Sequence, residues 1–253
     1  MLVRLSETAP ETSAFFRCAW AIPVLVLLAL HEQRRLGPRE GRSAKTFVAG
    51  AIFAANIVLY HHTIDLVGAG LATVLGNLQV VVVAYVAWAV LSERPDRRVL
   101  VAVPIVLTGV VLISGFLEDG AYGEDPAKGV AFGILTSIAY AAFILLMRSA
   151  NAGPRRPAQP LLEATVVAAA CILLYGLATG TIDLTPGWEA TGWLVLLAIS
   201  SQVLGWMLIS VSLPALPAAL GSLLLLVQPV GAVVLGEIIL GEEPSAVQVA
   251  GVT

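Results

Sequence analysis

The chain has 253 residues, of which 58% are apolar and 12% charged, with a net charge of -3; an ordinary soluble domain carries about 25% charged residues. Gly 23 and Pro 14 are spread along the whole length and there are only two cysteines, which excludes a collagen-like chain, a disordered tail and a small disulfide scaffold. The 14 Lys and Arg residues gather into no single basic surface, so nucleic acid is not an expected partner.

Apolar runs fall at 13–30, 47–64, 67–91, 99–117, 129–148, 160–179, 191–211 and 216–240, and short segments between them hold nearly all the charge. Each run is long enough for a helix across a hydrocarbon core about 30 Å thick, which needs about 20 residues. Eight complete spans are expected. A further run begins at Ala246 and reaches Thr253, a stub of a ninth. Barrel strands alternate in polarity, whereas Val24 to Leu30 and Leu223 to Val227 are continuously apolar, so helices are expected throughout. The first run follows Glu7 and Glu11, contains Arg17 and leads into seven more; it reads as a retained helix and not as a signal peptide. Cys18 and Cys171 lie inside apolar runs and read as small buried hydrophobes.

Orientation follows from the connections, because Lys and Arg accumulate on the cytoplasmic side of short loops. Arg34, Arg35, Arg39, Arg42 and Lys45 occupy one connection, Arg94, Arg97 and Arg98 the next but one, and Arg148, Arg155 and Arg156 the next but one again. The intervening connections carry Asp65, then Glu118, Asp119, Glu124 and Asp125, then Asp183 and Glu189, with Lys128 their only base. Residue 1 is therefore expected on the outer side.

Residues 71–95 and 220–244 align without a gap at a shift of 149: Leu71 meets Leu220, Gln79 meets Gln228, Leu91 meets Leu240, Glu93 meets Glu242 and Pro95 meets Pro244. Apolar matches are cheap in such a chain, so the weight rests on the intramembrane glutamines and the Leu-x-Glu-x-Pro ending. The same shift carries run 13–30 onto 160–179 and 47–64 onto 191–211. Each repeat lacks about one helix at its outer end, and restoring both gives two repeats of five spans, 1–125 and 126–253. An odd number of crossings inverts the second repeat relative to the first, the arrangement of many secondary transporters. The expected fold is all-α: a polytopic membrane helix bundle of two inverted five-helix repeats, with eight complete spans plus a stub present.

With the Phe15-Phe16-Arg17 start, the Gln79 and Gln228 spans, the Leu91-Ser92-Glu93 and Leu240-Gly241-Glu242 endings and the 149-residue duplication, the chain resembles the EamA proteins of the drug/metabolite transporter superfamily. The resemblance implies a ten-helix, multi-pass carrier of small metabolites in the cytoplasmic membrane, with both ends cytoplasmic and a cavity between the repeats. Against that pattern this chain lacks the first helix and most of the tenth. The expected partners are a small-molecule substrate and the lipid bilayer, with a homodimer and a monomer both left open; no cofactor and no metal are expected.

A polar group in hydrocarbon costs several kcal/mol unless it finds a partner or water, so intramembrane polar residues are candidates for a solute path. Gln79 and Gln228 sit near mid-run, where an amide can both donate and accept; helix-to-helix hydrogen bonding is the structural alternative. Asn56, Gln202 and Trp206 lie on the repeat-related runs 47–64 and 191–211. Gln202 and Trp206, four apart, share a helix face, and packing between helices competes with cavity lining here. Tyr140 is a further substrate-binding candidate. Glu237 is the one carboxylate read well inside a run, either as a proton-coupling site or as a side chain reaching back to the interface.

Arg17 reads as a helix anchor, with pairing to an anionic substrate as the alternative, and Glu93 and Glu242 read as structural caps. Tyr60, Tyr85, Trp88 and Trp188 fit interfacial aromatic belts. His61, His62 and Asp65 read as a solvated turn in preference to a metal cluster. Gly129 and Gly133, four apart, would permit close helix approach. A membrane scaffold or a non-transporting remnant is the competing function. A polytopic enzyme is less favoured, because no nucleophile motif, no His-Glu-x-x-His and no phosphate-binding loop occurs.

Overall fold

The structure, a computed structural model, describes residues 5–37, 44–113, 125–151 and 156–235, together with Ile238, Val247, Ala250 and Gly251. Among these residues every regular element is helical, as expected where no water is present to satisfy an open backbone. In chain order the helices are α1 (Pro10–Leu36), α2 (Ala44–Gly68), α3 (Gly70–Leu91), α4 (Arg97–Ile113), α5 (Ala127–Ala150), α6 (Ala158–Thr179), α7 (Trp188–Ala215), α8 (Ala218–Leu224) and α9 (Val227–Leu235). Six of them, α1 to α3 and α5 to α7, are long and apolar enough to cross a membrane.

Six of the eight apolar runs thus appear as spanning helices among the described residues. The 99–117 run is represented by α4, 17 residues long. The 216–240 run is divided between α8 and α9 by a turn at Leu225 and Leu226. Pro229 accounts for the division, because a proline ring clashes with the carbonyl four residues before it, and that carbonyl belongs to Leu225, which accepts instead from Gln228 N at 3.1 Å.

α3 has a matching irregularity at Leu78, where Leu78 N bonds to Leu75 O at 3.1 Å and regular helix resumes at Gln79. No proline is responsible here. Asn77 Nδ2 takes the Thr73 carbonyl at 2.8 Å, the local competition through which Asn disturbs helix interiors. At the shift of 149, Leu78 corresponds to Val227, the first residue of α9, so the two repeats interrupt their helix within two residues of each other.

The chain divides into two compact units, and each draws on both halves of the sequence. The first unit comprises Leu2–Val58 and Ala142–Ala215. Within it α1 packs most extensively along α6 and also against the Trp188–Gly205 part of α7. Gly50 of α2 faces α6 so closely that a Cβ would stand 2.4 Å from Ala164 O and 2.8 Å from Val167 Cβ. Only glycine allows that approach, which brings two backbones into van der Waals contact. The ends are tied by side chains: Glu32 accepts from Ala158 N at 3.0 Å, so α1 caps the start of α6. Arg156 donates to Gly37 O and Leu36 O, satisfying carbonyls that the end of α1 leaves open.

The second unit comprises Leu59–Ala141 and Leu216–Thr253. Its core holds Val80, Val110 and Leu226, with Val74, Val103, Val106, Leu107 and Leu223 around them. Gly129 and Gly133 make the close approach expected of their spacing: a Cβ would meet Val67 Cγ1 at 2.3 Å from the first and Leu75 Cδ1 at 2.5 Å from the second. α3 ends on Ser92, which is left-handed at φ 57, and Glu93 N reaches back six residues to Ala87 O at 3.0 Å, a Schellman closure. Glu93 then accepts from Ala218 N at 3.0 Å, capping α8. The Leu-x-Glu-x-Pro ending therefore has a structural cause at Glu93: it stops one helix and starts another 125 residues on. Glu242 lies outside the described residues.

Candidate functional site

A buried polar arrangement lies in the first unit, where α1, α6 and α7 meet. α7 carries Gln202 there because its middle stretch, Ala198–Gly205, is π-helical; such segments hold an extra residue per turn and are frequent at functional sites. Gln202 is 1% exposed, and both ends of its amide are used. Its Oε1 accepts from Arg17 Nε at 3.0 Å, and its Nε2 donates to Thr165 Oγ1 at 3.0 Å. A guanidinium, an amide and a hydroxyl from three helices thus form one chain of hydrogen bonds at membrane depth.

Aromatic rings flank this chain. The Arg17 guanidinium carbon lies 5.4 Å from the centroid of the Phe53 ring, a cation–π placement. Phe53 stacks on Phe143 at 4.6 Å, and Trp206 meets the two rings edge-on at 6.1 Å and 4.8 Å. All three rings are buried. Gln202 and Trp206 share a face of α7 as their spacing of four requires. Asn56, one turn beyond Phe53 on α2, is also buried. The arrangement places a cation, amide groups and aromatic faces side by side, groups able to bind a polar solute.

Sequence reasoning singled out Asn56, Gln202 and Trp206, and the first unit contains all three. It favoured an anchoring role for Arg17; the structure adds that the guanidinium holds Gln202, a partner 185 residues away. Thr165, Phe53 and Phe143 were passed over. None of them stands out from its surroundings by residue type, and only the fold brings them together.

Gln79 and Tyr140 belong to the second unit. Gln79 is 1% exposed; its Nε2 donates to Ser222 O at 3.4 Å, and its Oε1 has no hydrogen-bond partner among the described residues. Tyr140 is half-buried on α5 and Gln228 is exposed on α9. Glu237 lies outside the described residues. Glu163, overlooked as a carboxylate within a span, stands six residues into α6, where it accepts from Thr46 Oγ1 at 2.5 Å and from Gln159 Nε2 at 3.5 Å. Tyr85, Trp88 and Trp188 are exposed, as belt residues would be, whereas Tyr60 is half-buried and meets Thr73 at 3.3 Å. No group of three or more metal-ligating side chains occurs among the described residues.

The model of the EamA-like transporter family matches the chain twice, over residues 1–115 and 127–253. No curated protein sequence matches it. Among 28 solved chains of similar fold, one described only as the crystal structure of a protein aligns with a TM-score of 0.77 at 15% identity, over 99% of this chain and 86% of its own. That likeness is one of fold.

Proposed function

Because the chain belongs to the EamA-like transporter family, whose model covers it in two successive copies, we propose that it is a secondary carrier moving a small metabolite across the cytoplasmic membrane. The doubled family match is the observation that carries this reading. Two copies of a unit with an odd number of crossings, 1–125 and 126–253, would lie in opposite orientations. They could then exchange conformations so that one site opens to each side in turn.

Asn56, Gln202 and Trp206 are proposed to contact the solute, with Arg17 setting the orientation of the Gln202 amide. Gln79 and Gln228, which the 149-residue shift relates, and Tyr140 are proposed as further solute contacts within the second unit. Glu237 is the proposed proton-coupling group. The buried hydrogen-bonded chain at Gln202 supports the assignment, because a polar assembly of this kind at membrane depth more often serves a solute or ion path than stability.

The test is a metabolite uptake and efflux screen in reconstituted vesicles, comparing the wild-type chain with Gln202→Ala, Gln79→Ala and Gln228→Ala. Transport of a solute by the wild type and its loss in Gln202→Ala is the expected result. Equal transport by wild type and all three variants would overturn the site assignment. Tags near Arg39 and near Asp183 report on the inverted arrangement, and exposure of both tags to one aqueous compartment would refute it.

A further inference from the structure

A second site lies in the first unit, apart from the Gln202 chain. Ala29 and Gln33 near the end of α1, Phe47 near the start of α2, and Gln159, Leu162, Glu163 and Val166 on the first turns of α6 line a half-open cavity of about 340 Å³. Its wall is largely apolar, and two of its members, Phe47 and Val166, are exposed at 39% and 43%. A side chain at this position on a spanning helix meets acyl chains.

The single charge in the wall is the half-buried Glu163 carboxylate. Among the described residues its partners are neutral, the Thr46 hydroxyl and the Gln159 amide. Those donors orient the carboxylate without matching its charge, and an ionised group out of bulk water stays costly until a counter-charge arrives. The helix ends forming the cavity adjoin the Arg-rich connections, and the last turn of α1 carries exposed Arg34 and Arg35. An acidic group inside, basic residues on the same last turn of α1 that ends beside the cavity, and a largely apolar wall complement one class of molecule.

We propose that this cavity binds a membrane phospholipid bearing a primary ammonium headgroup. The ammonium donates to Glu163, the phosphate lies toward the basic turn of α1, and an acyl chain covers Phe47, Leu162 and Val166. Gln33 and Gln159 supply neutral amide oxygens for the remaining ammonium protons. A trimethylammonium headgroup of equal charge has no N–H to donate, so the cavity discriminates between the two. The inference is independent of whether the chain carries a solute.

The test is native mass spectrometry of the detergent-solubilised protein titrated separately with phosphatidylethanolamine and phosphatidylcholine of identical acyl chains. A preference of about tenfold for the primary ammonium lipid is expected, the size of one charge-assisted hydrogen bond. Glu163→Gln should abolish the preference. Because that change also alters the Thr46 contact, Val166→Trp serves as a second variant; it keeps the carboxylate and fills the cavity, so occupancy by both lipids should fall. Equal binding of the two lipids by the wild type, an unaltered preference in Glu163→Gln, or unaltered occupancy in Val166→Trp would each overturn the proposal. So would binding of dodecylammonium without binding of the ammonium phospholipid, which would assign the cavity to a soluble amine.

Discussion

Two glutamines, Gln202 in the first unit and Gln79 in the second, are each 1% exposed, yet their surroundings differ. Gln202 satisfies both ends of its amide, one to a charged donor. Gln79 makes one contact at 3.4 Å and leaves its carbonyl oxygen without a partner among the described residues. The neighbours differ too: a guanidinium and a hydroxyl bond the first, whereas the second bonds one backbone carbonyl, that of Ser222. Equal burial therefore says little about what a polar group contributes. A satisfied amide helps to specify how its helices meet, whereas a half-satisfied one is a stability cost kept for some other reason.

Six substitutions sharpen that contrast, each read by thermal unfolding in detergent. Trp206→Ala empties the space beside the stacked Phe53 and Phe143 rings, and a loss of about 3–5 kcal/mol is expected; a loss below that of Gln202→Leu would mean the rings are not the organising contact of the first unit. Gln202→Leu removes the acceptor of Arg17 Nε and should cost roughly 1–3 kcal/mol, with Arg17→Met in the same background adding little if the two residues act as a pair. Glu32→Ala and Glu93→Ala each remove a cap supplied from a distant helix, one in each unit, and should cost about 1 kcal/mol apiece. Gln79→Leu replaces a partly satisfied amide with a side chain of similar size and should change stability by about 0.5 kcal/mol or less in either direction. A cost for Gln79→Leu as large as that for Gln202→Leu would erase the distinction.

Much of the helical architecture was legible in the residue order because it depends on long apolar stretches and on where charge interrupts them. The runs at 13–30, 47–64 and 160–179 each reappear inside a spanning helix. The division of the 216–240 run was foreshadowed by Pro229, but a proline in a membrane helix kinks or passes unnoticed depending on its neighbours, so the sequence could not choose between these. At the site, Gln202 and Trp206 were visible because polar and aromatic residues are rare at mid-run. Arg17 was visible, but its bond to Gln202 was not, since that partner lies on another helix and no periodicity joins them. Glu163 escaped notice for a simpler reason. Its distance from the end of α6 decides its environment, and an apolar run blurs that boundary by several residues.

The widened stretch of α7 from Ala198 to Gly205 holds one more residue than the ordinary winding would. Such a surplus is not tied to its place: if the stretch tightens to 3.6 residues per turn, the spare residue is handed to the next turn and the residues it passes swivel by about 100°. Trp206 is the first residue past the stretch. A small slippage of backbone bonds could thus swing a large ring out of the cluster it shares with Phe53 and Phe143, leaving the far end of the helix anchored where it was.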